Sequence, residues 1–160
     1  MARIDVTLDD KKVLADIQLA VNLGKDFSKP LKQAGILIMR ETDKRFKQMV
    51  SPSGARWKPL SDKTLQRRRK GKKKGRYGDA ILRDTGRLWR SIVANSGSGH
   101  IYRQDKKSVE VGTNVNYANA HQFGVWGRIP PRPFLGVNSK DMQNILKIFG
   151  DFVDKTLGAK

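Results

Sequence analysis

The chain has 160 residues, with 33 Lys and Arg against 15 Asp and Glu, a net charge of +18 and no cysteine. That length suits one domain with a core of useful size, and the missing thiols exclude disulfides, thiol catalysis and Cys-ligated zinc. The charge is concentrated rather than spread, since residues 61–90 carry twelve basic and three acidic side chains, a density that bears on partners and solubility rather than on fold.

The first ten residues place charges where a secretory signal needs an apolar stretch, and the longest apolar run, Ile36 to Met39, is too short to span a bilayer. A soluble protein of a cytoplasm is expected. Residues 3–8 alternate, with Ile4, Val6 and Leu8 on one face, and predict a short strand. Asp9 and Asp10 then offer an N-cap and a negative first turn to a helix carrying Val13, Leu14, Ile17, Ala20 and Val21, which Gly24 ends. Ser28 is placed to cap a longer helix with a stripe of Leu31, Ala34, Gly35, Ile38, Thr42, Phe46 and Met49, stopped by Pro52 and Gly54.

Residues 51–80 show no sustained period and predict a long loop, a feature that tends to be functional or disordered. The loop contains QRRRKGKKKGRYG (66–78), in which Arg67, Arg68, Arg69, Lys70, Lys72, Lys73, Lys74 and Arg76 have no carboxylate among them. Weak helical order returns over Leu82–Trp89. Strand-like alternation follows at 91–94, 101–103 and 109–113, with QDKK (104–107) as a hairpin turn. NYANAHQFG (116–124) predicts a short helix closed by Gly124, and the prolines of RIPPRPFLG (128–136) require an extended segment. Ser139 is placed to cap a final helix with Met142, Ile145, Leu146, Phe149, Phe152, Val153 and Leu157 on one face. This order predicts a single α+β domain over residues 1–160. A small antiparallel sheet has a long helix and a C-terminal helix packed on one face, and a basic loop is inserted at about 51–80.

Four stretches carry a resemblance: PSGARWKPLS (about 51–61), ILRDTGRLWRSI (81–92), VGTNVNYANAHQFG (111–124) and PPRPFLG (130–136). In order and spacing they resemble the phage virion morphogenesis, or tail completion, family of contractile-tailed phages and prophages, from about Phe46 to the C-terminus. The resemblance implies a small α+β fold like that of siphophage head–tail joining proteins. It also implies a non-enzymatic virion protein of the neck, made in the host cytoplasm and assembling as a ring, a hexamer, around the DNA channel. Its neighbours would be head–tail connector and tail terminator or tube proteins.

Read physically, Pro52 and Gly54 enforce a turn after which Trp57 serves either as a core anchor or as an interface hot spot. Gly86 suits a backbone conformation closed to larger residues. Tyr117, His121, Phe123 and Gly124 read as a structural motif. His121 has Asn116, Asn119 and Gln122 rather than carboxylates around it, so a hydrogen bond to a backbone carbonyl is expected of it, not catalysis or metal binding. Arg132, Pro133, Phe134 and Leu135 form a rigid arm that either contacts a neighbouring subunit or covers its own sheet. No cofactor, metal, membrane or small-molecule substrate is expected. For the basic run, docking on an acidic neck protein is favoured over lining the DNA channel, with non-specific DNA contact or plain solvation as the alternatives. A stand-alone basic nucleic-acid-binding protein is the rival function.

Overall fold

The computed structural model describes residues 11–70, 77–94 and 97–158. The strand expected at 3–8, the Asp9–Asp10 cap and Lys72, Lys73, Lys74 and Arg76 lie outside the described residues. The element order is α1 (Lys11–Asn22), α2 (Ser28–Gln48), α3 (Asp62–Lys70), α4 (Arg87–Val93), β1 (His100–Gln104), β2 (Val109–Thr113), α5 (Ala118–Phe123) and α6 (Ser139–Leu157). The strands pair antiparallel, with Tyr102 opposite Val111. The Asp105 carboxylate closes their turn by accepting from the Lys107 and Ser108 N–H groups, 2.7 Å each. This is the α+β arrangement expected from the sequence, in its smallest form, because the described strands make one two-stranded sheet.

The long helix α2 is the centre of the molecule, and its buried surface is wider than one stripe. Leu31, Ala34 and Leu37 pack with Phe27, Ile145, Phe149 and Val153 of the α6 side. Met39 and Phe46, further along, join Trp57, Leu88, Ile92, Val111, Phe134 and Leu135. Ile38 lies against both clusters. A helix sandwiched between two layers buries apolar residues around more than half its circumference, which a single-face reading misses. α2 is N-capped at Phe27, not Ser28; the Asp26 carboxylate instead receives the Ser28 N–H at 2.8 Å. It ends at Met49 in the left-handed conformation, φ 57°. Likewise Asn138, one residue before Ser139, caps α6 through a reciprocal box with Asp141.

Two local expectations are corrected. The alternation at 91–94 predicts a strand, yet 91–93 complete α4. Leu88 and Ile92 are both buried and sit one turn apart, so the i, i+4 pairing toward α2 prevails over the short alternation. Gly86, at φ 77°, starts this helix; a Cβ there would sit 2.6 Å from the Tyr77 ring. Residues 51–80 are not one long loop either, for they contain α3. Ser61 Oγ faces the Thr64 N–H at 3.4 Å and Asp62 occupies the first turn, a helix start that an apolar count cannot register. The buried residue of α3 is a cation, Arg68, whose aliphatic stem fills the place an apolar side chain would take.

Candidate interaction surface beside an exposed tryptophan turn

The Pro-Gly-Trp, α5 and Pro-rich segments fold against one another, and their polar atoms are spent inside the subunit. Trp57 Nε1–H donates to the Pro133 carbonyl at 2.8 Å while its ring meets Phe46 edge-on, centroids 5.5 Å apart. Arg132 donates to the Lys58 and Pro59 carbonyls, 2.8 Å each. Its own N–H reaches the His121 carbonyl at 2.7 Å. The buried Gln122 amide donates to the Leu135 carbonyl (2.8 Å) and accepts from the Phe134 and Leu135 N–H groups (3.0 and 3.1 Å). A proline-rich strand has no ladder to satisfy its peptide groups, and Gln122, Trp57 and Arg132 satisfy them instead. Gly136 lets the segment pass Pro52, since a Cβ there would lie 2.5 Å from the proline ring.

This settles where the expected contact residues sit. Phe134 is 0% exposed, and Trp57, Leu135 and Arg132 are all buried. Their side chains cover their own subunit, so a partner surface has to be sought among their neighbours. The Val125–Ile129 bridge closes a tight turn, with paired bonds of 2.8 and 2.9 Å. At its tip Trp126 is 86% exposed, and Phe123 beside it is 65% exposed. An exposed Trp–Phe pair has lost its burial energy, and such residues are enriched at contact surfaces. The sequence did hold a signal for it: in FGVWGR an aromatic stands between two glycines, with no apolar period to draw it into the core.

Adjoining this turn is a cleft of about 1010 Å³ bounded by α3, the 82–87 turn, α5 and the start of the Pro-rich strand. Its walls hold six cations, Lys58, Arg67, Arg68, Arg87, Arg128 and Arg132, and one carboxylate, Asp84. Asp84 is shared between Arg67 (3.5 Å) and Arg68 (3.6 Å). Arg68 also donates to the Gly78 and Ala80 carbonyls at 3.2 and 2.8 Å. Burial, and then the charge of Arg68, lower the Arg132 guanidinium pKa. Among the described residues no carboxylate lies within ion-pair reach of the exposed Lys58, Arg87 or Arg128. Leu60, Leu82, Leu88, Tyr117 and Pro130 supply apolar surface between the charges.

The basic run is thereby divided. The sequence shows no carboxylate inside it, but the fold brings two from downstream: Asp79 pairs with Arg69, and Asp84 with Arg67 and Arg68. The Arg69 bond holds the Asp79 carboxyl below the usual carboxylate range. Three of the four described cations of the run therefore have intrasubunit partners, which leaves Lys70 as the exposed one.

His121 lines the same cleft. Its ring packs edge-on to Tyr117, centroids 5.8 Å apart, and its buried Nδ1 has no hydrogen-bond partner among the described residues. The expected bond from its ring to a backbone carbonyl is made by the other histidine, His100, whose Nδ1 lies 3.1 Å from the Ser91 oxygen. Burial, and secondarily the Arg132 charge, lower the His121 pKa below its ordinary 6.5. A depressed histidine pKa favours the neutral ring in the fold, so the unfolded chain binds more protons as pH falls past 6.5. Stability is therefore expected to drop on acidification below that value. In His121→Gln this part of the slope should flatten, as urea titrations between neutral and mildly acidic pH would read directly. Among the described residues there is no cluster of three His, Cys, Asp or Glu side chains able to hold a metal ion, and no helix is long and apolar enough to cross a membrane.

The phage virion morphogenesis family matches the sequence over residues 8–154. No curated protein and no solved structure matches it.

Proposed function

We propose a specific place in the particle for this chain, which belongs to the phage virion morphogenesis family. It completes the tail and joins it to the head, as a homo-oligomeric ring of the neck around the DNA channel, a hexamer, and it carries out no catalysis. The family match over residues 8–154 is the observation that carries this reading. The site adds physical support. Its motif residues are committed to holding the Pro-rich strand in place, and what the fold exposes is an aromatic turn beside a cationic cleft, a surface suited to assembly. Connector and tail terminator or tube proteins are the expected neighbours.

Cryo-EM of intact particles tests this. Ring density at the head–tail junction into which the α2–α6 core fits is the expected result. Particles in which the chain is absent, or sits elsewhere, would sink the proposal.

The net charge of +18 favours a second reading, non-specific binding of nucleic acid by a stand-alone basic protein. That reading makes duplex affinity fall with salt at a log–log slope approaching about −0.9 per phosphate contacted. Neutralising Lys72, Lys73, Lys74 and Arg76 together to Gln should then reduce the slope by about three units. On the joining-ring reading the same variant still oligomerises and enters particles. Deleting 67–76 is the poorer test, because it also removes the buried Arg68 of α3.

A further inference from the structure

We infer that the cleft between α3, the 82–87 turn and α5, with the Trp126 turn beside it, is a docking site for an acidic segment of a different virion protein that also presents apolar side chains. The inference rests on the structural role proposed above, because it names the partner as a particle component.

Charge complementarity is the first argument. Lys58, Arg87 and Arg128 face the cleft exposed, while the single wall carboxylate, Asp84, is already shared by Arg67 and Arg68. Carboxylates entering the cleft would meet guanidinium groups whose planar forks bind them in two-point fashion. The second argument is the apolar floor. Leu60, Leu82, Tyr117 and Pro130 lie between the cations, so an occupant with apolar side chains gains burial that a purely charged ligand would not. The third is continuity. A second depression of about 580 Å³ shares Lys58, Arg128, Ile129 and Pro130 with the cleft and runs on to Phe123 and Trp126. One segment lying along both would bury the exposed Trp at the edge of a charged recess, the composition of an interface hot spot.

Other occupants fit less well. A second copy of this chain brings its own excess of cations, 33 against 15 acidic side chains, to a cationic recess. Duplex DNA offers phosphates on a convex surface and nothing apolar for the floor. A single strand, stacking a base on Trp126, is the nucleic-acid occupant that the test must separate.

The photo-crosslinking residue benzoylphenylalanine is placed at position 126 of the full chain, and particles assembled with it are irradiated and mapped by mass spectrometry. The expected result is a cross-link to a Glu- or Asp-rich stretch of another virion protein. Reversing the rim charges, Arg87→Glu with Arg128→Glu, should lower its yield about tenfold or more, with an unchanged circular dichroism spectrum showing that the fold persists. Cross-links to another copy of this chain or to nucleic acid overturn the inference. So does the absence of any cross-link in particles that contain the chain, or a yield indifferent to charge reversal. Particles that lack the chain overturn the structural role itself, an outcome the same spectrum distinguishes.

Discussion

Asp141→Ala is expected to destabilise the protein by about 3–5 kcal/mol, the usual consequence of removing one partner of a buried ion pair. Asp141 and Arg45 side chains are 7% and 6% exposed, and they are directly bonded. Arg45 also donates to the Gly136 carbonyl, so one guanidinium ties the end of α2 to both the Pro-rich strand and the start of α6. Asp141 also caps its own helix. Its carboxylate accepts from the Asn138 N–H at 3.1 Å while the Asn138 side chain accepts from its N–H at 2.8 Å. Alanine removes the charge partner and half of the capping box together. Leaving Arg45 charged and unpaired in the interior is the larger cost. Urea-induced unfolding of the variant beside the parent chain measures it. A loss under about 1 kcal/mol, the scale of an exposed pair, would show that water reaches the Arg45 site.

Phe134→Ala should cost a similar amount, about 3–5 kcal/mol, through lost burial and the cavity left behind. Its ring is 0% exposed and lies 5.6 Å from Phe46, which in turn carries Trp57. The variant loses folded protein first, and particle assembly only as a consequence. Trp126→Ala is the informative partner experiment, because a side chain 86% exposed contributes little to folding, within about 0.5 kcal/mol. Denaturation midpoints and particle yields for the two variants should therefore dissociate. Phe134→Ala shifts the midpoint, whereas Trp126→Ala leaves it in place and affects assembly alone. The reverse pattern would return the 130–136 segment to the contact role that its rigid, proline-bounded sequence suggests.

That pair of variants marks where reading the chain and reading the fold part ways. Extended conformation at 130–136 follows from proline geometry, which is local. Whether Phe134 faces inward or outward depends on Gln122, Arg132 and Trp57, which bond the strand's backbone into place and anchor it to other segments. A contact arm and a core strand have the same sequence when only the strand is considered. The helix α3 shows the converse difficulty: its capping signal at Ser61 is present, but its one buried residue is Arg68, so hydrophobic periodicity passes over it. The charge run is misread for a related reason. Its partners Asp79 and Asp84 stand beyond its C-terminal end, and neutralisation acts through space.

By itself the sequence determined what depends on short-range chemistry: the hairpin and its Asp105 turn, the long helices, the extended proline segment, the missing thiols and the four spaced motifs that mark the family. Only the tertiary structure decided which of those motif residues are interior and which surface remains for a partner. Lys58, Arg87, Trp126 and Arg128 become neighbours of one recess solely because α3, α4 and α5 converge around the Pro-rich strand. Burial and proximity are properties of that convergence, fixed by side chains far apart along the chain competing for the same interior volume.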